Sequence, residues 1–282
     1  MSFQSPFHQG LRQFPMTLLL LAVCVGVWLL QLIVGVDVTH PSNQALLTWG
    51  ANFLPYSIGD APWRMVSSLF LHIGLLHLMF NMFALYYFGQ VAERMFGSVH
   101  LLLLFLWSGI GGNVLNNYLG WQDWLDGHPP VLSAGASGGI MGIGMALLVT
   151  AIFKTPINQI MLNSRSLFMI MGINLLYGFF VGNIDNAGHV GGAVTGAILA
   201  TIYIIQYRHN CQNASRVFPK YSSTLNTNTV LPLQRGYFKP SAVNGKIALL
   251  GYIATMLVMG WVYSELHAAY IAMFANTPRL LF

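Results

Sequence analysis

Charged side chains are scarce in this sequence. Asp, Glu, Lys and Arg together make up 7% of the 282 residues, whereas apolar residues make up 55%. An ordinary soluble domain carries about 25% charged residues, because its surface must face water. A water-soluble fold is therefore excluded, and the long apolar runs predict helices that cross a lipid bilayer.

Other features are missing as well. The two cysteines, Cys24 and Cys211, are too few and too far apart for a disulfide framework. The sequence contains no series of segments of about ten residues with alternating polarity, which a transmembrane β-barrel requires. The formal net charge of +5 does not indicate binding to nucleic acid, because the basic residues cluster in particular loops. We expect a lipid bilayer as the partner of this chain, and no nucleic acid.

Seven apolar segments predict an all-α polytopic membrane protein. The segments cover residues of about 14–36, 68–88, 100–118, 136–153, 166–181, 187–207 and 247–263. They divide the chain into a short tail (1–13), a core of six spans (14–207), a polar basic loop (208–244) and a last span with its tail (245–282). The polar loop is rich in Ser, Thr and Asn, so we expect a flexible tether.

The connection of residues 37–67 is unusually long and carries tryptophans, prolines and glycines. Its amphipathic content favours packing on the helix bundle or in the membrane interface. The alternative is an ordinary solvated loop.

The distribution of basic residues predicts the orientation in the membrane. With the N-terminus in the cytoplasm, ten of the twelve Lys and Arg residues fall on the cytoplasmic side. Only Arg64 and Arg279 fall outside, while six of the seven acids do. Retained Lys and Arg determine orientation, so we expect a cytoplasmic N-terminus and an external C-terminus.

Four polar residues in the predicted spans are candidates for chemistry, because an unpaired polar side chain in hydrocarbon is costly. They are His77 and Asn81 on the second span, Ser137 on the fourth and His189 on the sixth. Ser137 and His189 lie near the outer ends of their helices, and His77 and Asn81 two to three turns into theirs. All four positions fall within roughly the outer half of the membrane at 1.5 Å per residue, so they can form one site.

Small residues follow Ser137 and His189 along their predicted helices. Such residues let helix backbones approach closely, which would bring a serine hydroxyl to the imidazole that must take its proton. The small residues are Gly138, Gly142 and Ala146 after Ser137, and Gly192 and Gly196 after His189. Each signal has a structural alternative: a GxSG sequence also serves helix packing, and His77 and Asn81 could bond each other or a backbone carbonyl.

The combination of motifs resembles the rhomboid family of intramembrane serine proteases. Its WR, HxxxxHxxxN, acidic-Gly, GxSG and HxxGxxxG motifs occur in order as Trp63-Arg64, His72 with His77 and Asn81, Glu93 to Gly97, Gly135 to Gly138, and His189 to Gly196. The last span resembles the six-plus-one arrangement of many bacterial rhomboids, which implies a bacterial inner membrane. A transporter is disfavoured, since the sequence shows neither an internal repeat nor a charge deep in a span.

The resemblance implies a catalytic dyad of Ser137 and His189 without a carboxylate, and no cofactor. His77, Asn81 and the backbone N–H of Ser137 would form the oxyanion hole, and the substrates would be single-spanning membrane proteins. His72 would be structural or contact water. The position four residues after the nucleophile, usually aromatic, is Met141. A catalytically dead relative would lack the serine or the histidine, and both are present.

Overall fold

The computed structural model describes residues 14–180, 185–217 and 243–275. Long helices dominate these ranges, and two short strands form one antiparallel pair. The helices are α1 (Pro15–Ile33), α2 (Asn43–Thr48), α3 (Leu54–Ser57), α4 (Arg64–Ser67), α5 (Leu75–Phe96), α6 (Ser98–Leu125), α7 (Ser137–Ile152), α8 (Ser164–Phe180), α9 (Asn186–Val217) and α10 (Lys246–Phe274), and the strands are β1 (Asn52–Phe53) and β2 (Leu132–Ser133). The predicted tail, residues 1–13, lies outside the described residues.

Each of the seven predicted spans corresponds to a helix. Five of these helices, α1, α5, α6, α9 and α10, are long and apolar enough to cross a membrane. The other two, α7 and α8, are shorter apolar helices. The all-α polytopic class is therefore confirmed, while the division into six spans plus one stays a prediction.

Helices α6, α7 and α9 form the centre of the bundle, where each packs extensively against the other two. Glycines permit this packing, since an added Cβ at Gly192 would overlap the backbone of Gly138, and one at Gly196 would overlap the backbone of Gly142. These contacts join α7 and α9 along the predicted small-residue stripes. The large buried side chains of α6 and α7, such as Phe105 and Ile143, fill the core around them.

The outer helices present apolar side chains away from the protein. On α10, for example, the apolar side chains of Leu249 and Leu257 are 59% and 68% exposed. Such surfaces suit contact with lipid, where apolar exposure carries no cost.

The connection of residues 37–67 packs on the bundle, as the sequence predicted, and is not a solvated loop. It contains α2, β1, α3 and α4, and it buries Leu46, Ala51 and Ile58 almost completely. Arg64 fixes its shape by donating to the carbonyls of Leu47 at 2.7 Å and Ala51 at 3.2 Å.

Glu93 joins the first two spans. Its carboxylate accepts hydrogen bonds from the backbone N–H groups of Met16 and Thr17, at 2.8 and 2.7 Å, and from Ser98 Oγ at 2.6 Å. It therefore satisfies the free donors at the start of α1. Glu93 belongs to the acidic-Gly motif, but the motif did not indicate this contact with α1.

The predicted start of the second span was wrong. The apolar run begins at Ser68, but residues Ser68–Phe70 form a 3₁₀ turn and α5 begins only at Leu75. The break falls at Gly74, whose φ of +140° is a conformation that side chains rarely adopt. His77 is consequently the third residue of α5 and lies in its first turn, not two to three turns deep.

The sixth span also extends further than predicted. Helix α9 continues to Val217, into the stretch from residue 208 that was expected to be a flexible loop. Helical hydrogen bonding can continue beyond the bilayer, so the end of an apolar run need not end the helix. Residues 218–242 of the predicted loop lie outside the described residues.

Candidate active site

Ser137 is the first residue of α7 and follows a strained turn. Gly135 has a φ of +151°, and an added Cβ there would lie only 2.7 Å from Cε1 of His77 and 3.6 Å from Ser137 Oγ. Glycine is thus required both by the backbone conformation and by the space. Its small size lets the His77 ring and the Ser137 hydroxyl approach the same point.

His189 is the fourth residue of α9, and its helix begins beside the start of α7. An added Cβ at Gly138 would lie 3.3 Å from the carbonyl oxygen of Gly188, so the residues next to Ser137 and His189 nearly touch. His77 and His189 are also close enough to interact electrostatically. The structure therefore brings His77, Ser137 and His189 to one place at the same end of three helices.

The side chains of the two predicted dyad residues, Ser137 and His189, are not hydrogen-bonded to each other. Among the described residues, no hydrogen bond joins Ser137 to His189, and Nδ1 of His189 is buried without a partner. Catalytic hydrogen bonds are often long before substrate binds. An imidazole with unused hydrogen-bonding capacity is suited to accepting a proton.

Asn81 lies one turn below His77 on α5 and is buried, with 5% of its surface exposed. Its Nδ2 donates to the carbonyl oxygen of His77 at 2.9 Å. A side-chain amide has a second N–H, which remains for another acceptor. Asn81 thus fits both the predicted oxyanion role and the structural alternative.

His72 is buried against the site from the preceding loop. Its ring meets the ring of His77 edge to face, with centroids 5.3 Å apart. Neither ring nitrogen of His72 makes a hydrogen bond of good geometry among the described residues, although the backbone of Phe70 lies close to the ring. The position suits the expected structural or water-contacting role, since a polar recess of this kind can hold water.

Met141 is buried one turn after Ser137 and belongs to a cluster with Met171 and Ala193. Ala193 itself lies one turn after His189 on α9. The thioether therefore packs beneath the site where the family usually has an aromatic ring, and its flexible side chain fills this gap between helices.

Asp185 is a residue near the site that the sequence analysis assigned only to an external loop. It lies directly before α9, and its carboxylate accepts hydrogen bonds from Gly188 N, Asn116 Nδ2 and Ser133 Oγ. The available signal was its position, because Asp is a preferred residue at a helix N-cap. From the sequence, Asp185 was counted only as one of the acids outside the membrane, so its position before a helix was not used.

In the part of the chain that the structure describes, no group of three His, Cys, Asp or Glu residues is placed to hold a metal ion. The site instead combines a hydroxyl, three imidazoles and an amide. This set can supply a nucleophile, a base and hydrogen-bond donors for acyl transfer.

Comparison with known proteins identifies the family. Residues 59–206, more than half of the chain, match the family model of the Rhomboid domain. This chain belongs to the rhomboid family. The matched region contains all of the motifs on which the resemblance was based, so that prediction is confirmed.

Curated relatives agree with this assignment. Rhomboid protease GluP of Bacillus subtilis is 36% identical over 159 residues, which cover 56% of this chain and 29% of GluP. Rhomboid protease AarA of Providencia stuartii is 29% identical over 220 residues, or 72% of this chain and 78% of AarA. The mitochondrial RHOMBOID-like protein 6 of Arabidopsis thaliana is 31% identical over 192 residues, or 64% of this chain and 59% of that protein. The chain thus spans less than two thirds of GluP and of the Arabidopsis protein.

Proposed function

We propose that this rhomboid is an intramembrane serine endopeptidase in which Ser137 is the nucleophile and His189 its general base. The observation that carries the proposal is the backbone contact of α7 with α9, which holds the starts of the two helices together beside His77. The names of GluP and AarA, which are rhomboid proteases, support the same activity.

The residues divide the reaction between them. His189 takes the proton from Ser137 Oγ as the oxygen attacks the scissile carbonyl, and then donates it to the leaving amine. His77, Asn81 and the N–H of Ser137 donate hydrogen bonds to the developing oxyanion, which such donors stabilise by about 2.7–4 kcal/mol each. Water then hydrolyses the acyl-enzyme with His189 again as base.

The substrates that we propose are single-spanning membrane proteins, cut in or near their transmembrane segments. A peptide bond within a helix is shielded by its own hydrogen bonds, so the substrate must unwind locally. The catalytic residues lie in the first two turns of α5, α7 and α9, near one end of the bundle. A substrate helix that unwinds at its end can therefore reach the catalytic residues without entering deeply into the bundle.

A fluorophosphonate probe tests the nucleophile directly. In native membranes, the wild type should be labelled and cleave a model transmembrane substrate, while Ser137→Ala should do neither. Persistent labelling of Ser137→Ala would show that another group reacts, and an unlabelled, inactive wild type would refute the protease function.

We also propose that the N-terminus is cytoplasmic and that the active-site end faces outward, in a bacterial inner membrane. The ten-to-two distribution of basic residues supports this orientation. A reporter that works only outside should be active after Phe282 and inactive near Thr224. The reverse pattern would overturn the orientation.

A further inference from the structure

One carboxylate connects the segments that carry the two dyad residues. Asp185 Oδ1 accepts hydrogen bonds from Gly188 N at 2.7 Å and from Asn116 Nδ2 at 2.9 Å. Its Oδ2 accepts from Ser133 Oγ at 2.5 Å. Three elements therefore meet at this side chain: the start of α9, the second half of α6 and strand β2.

Ser133 and Asp185 each lie close in sequence to one of the two proposed catalytic residues. Ser133 precedes Ser137 by four residues, and Asp185 precedes His189 by four residues. Gly188, which also bonds the carboxylate, is the neighbour of His189, and an added Cβ there would overlap the Asp185 carboxylate. The bond between Asp185 and Ser133 is thus a direct cross-link between the nucleophile segment and the base helix.

A buried network fixes this cross-link in place. Asn116 Oδ1 accepts a hydrogen bond from Asn52 Nδ2 at 3.1 Å, and Asn52 also exchanges hydrogen bonds with Asn117 at 3.2 Å. Asn52 and Asn117 are fully buried, and Asn52 pairs with Ser133 across the two strands. A satisfied polar network of this kind is rigid. It anchors Asp185 to α6 and to the strand pair.

Asp185 does not act as the third member of a triad. Its three hydrogen bonds go to Gly188, Asn116 and Ser133, and among the described residues Nδ1 of His189 has no partner. The carboxylate is near enough to His189 to interact electrostatically, but it contacts neither reacting atom. Besides this through-space interaction, its contact with the base helix runs through the backbone N–H of Gly188, next to His189.

We propose that Asp185 is a positioning residue, which sets the separation of Ser137 and His189 by tying the start of α9 to Ser133 and Asn116. This inference rests on the protease function proposed above. A serine and a histidine react efficiently only over a narrow range of separations, and a displacement of about 1 Å can lower the rate by about 10²-fold. A helix cap alone would stabilise the fold without this effect on turnover.

Four variants test the proposal on the full chain with a model transmembrane substrate. Asp185→Ala should lower kcat by about 10²-fold and leave KM nearly unchanged. Asp185→Asn should restore most of kcat, because the amide caps helices well and can bond all three partners. Ser133→Ala, which removes one link, should fall between them. Ser42→Ala is the matched control, since Ser42 is an exposed cap of α2 with no hydrogen bond to Asp185 or to its partners, and it should keep the wild-type kcat.

The outcomes are separable. Wild-type kcat in both Asp185→Ala and Ser133→Ala would overturn the positioning role, and Ser133→Ala decides alone if Asp185→Ala does not fold. An Asp185→Asn variant as slow as Asp185→Ala would overturn it too, because the negative charge would then be what matters. Wild type and Ser137→Ala are measured alongside: if both are inactive, the protease function itself fails, whereas an active wild type isolates the test of Asp185.

Discussion

The histidines at the two ends of the bundle differ in what surrounds their buried ring nitrogens. At the end away from Ser137, His100 has both ring nitrogens hydrogen-bonded, to Tyr252 Oη at 2.7 Å and to Asn244 Oδ1. Tyr252 in turn bonds Tyr203. At the end that carries Ser137, His189 Nδ1 has no partner among the described residues.

This difference fits a structural role for His100 and the chemical role that we propose for His189. A buried polar group left unpaired costs about 1–3 kcal/mol, so the arrangement around His100 is the expected one for a residue that only holds helices together. The unpaired Nδ1 of His189 forgoes that stability, which fits the role in proton transfer that we propose for this residue.

Removal of Ser137 or His189 should have the largest effect on turnover, and it tests most directly whether the His189 end of the bundle is the chemical one. His189→Ala and Ser137→Ala should each abolish cleavage of a model transmembrane substrate while the protein stays folded and inserted. Because the two residues act as a unit, the double variant should be no slower than either single one. Measurable cleavage by either single variant would contradict the assignment.

Next in size is the glycine contact that holds the active-site end together. Gly192→Ala should place a Cβ against the backbone of Gly138, where neither side can yield. Overpacking of this kind costs about 1–3 kcal/mol, and the displacement of α9 from α7 should lower turnover by about 10²-fold. Melting temperature in detergent and turnover on the same preparation measure both effects.

Gly260→Ala is the matched control for that substitution. An added Cβ at Gly260 on α10 meets nothing within 4 Å, so both stability and turnover should stay at the wild-type level. Equal behaviour of Gly192→Ala and Gly260→Ala would show that the close contact of α7 with α9 does not position the dyad.

Asn81→Ala should have a smaller effect, because His77 and the Ser137 amide remain to share the oxyanion charge. We expect turnover to fall by about 10²-fold or somewhat less with apparent affinity nearly unchanged. Fluorophosphonate labelling should slow in parallel. An unstable variant with wild-type turnover at low temperature would instead favour the structural alternative, in which Asn81 serves only to bond the carbonyl of His77.

Local sequence motifs predicted much of the active-site end. His77, Asn81, Ser137 and His189 were selected because polar residues in apolar segments are conspicuous, and their catalytic roles stay predictions. The glycines after Ser137 and His189 indicated which helices touch, and the structure confirms that contact. The start of α5 was missed because apolar residues continue through the break at Gly74, and hydropathy does not register backbone conformation.

The other end of the bundle was not predictable in the same way. His100 and Tyr252 are 152 residues apart in the chain, and no pattern connects them. Asp185 was missed for a related reason, since its partners Asn116 and Ser133 lie on elements 69 and 52 residues away. Polar networks of this kind depend on which helices are neighbours, and single-sequence patterns predict helices better than their pairing.

The smallest expected effect on turnover tests whether the His100 end is purely structural. Tyr252→Phe removes the hydroxyl that bonds His100 Nδ1 and Tyr203, so a buried imidazole nitrogen loses its partner. The free energy of unfolding should fall by about 1–3 kcal/mol. Turnover measured well below the melting temperature should not change, because no residue of this cluster touches the dyad.

Tyr118→Phe is the control on α6: Tyr118 is 45% exposed, so loss of its hydroxyl should alter neither quantity. If Tyr252→Phe lowered turnover while Tyr118→Phe did not, the packing of α10 against α6 and α9 would be coupled to the active site. The two ends of the bundle could then no longer be separated into a structural and a chemical half.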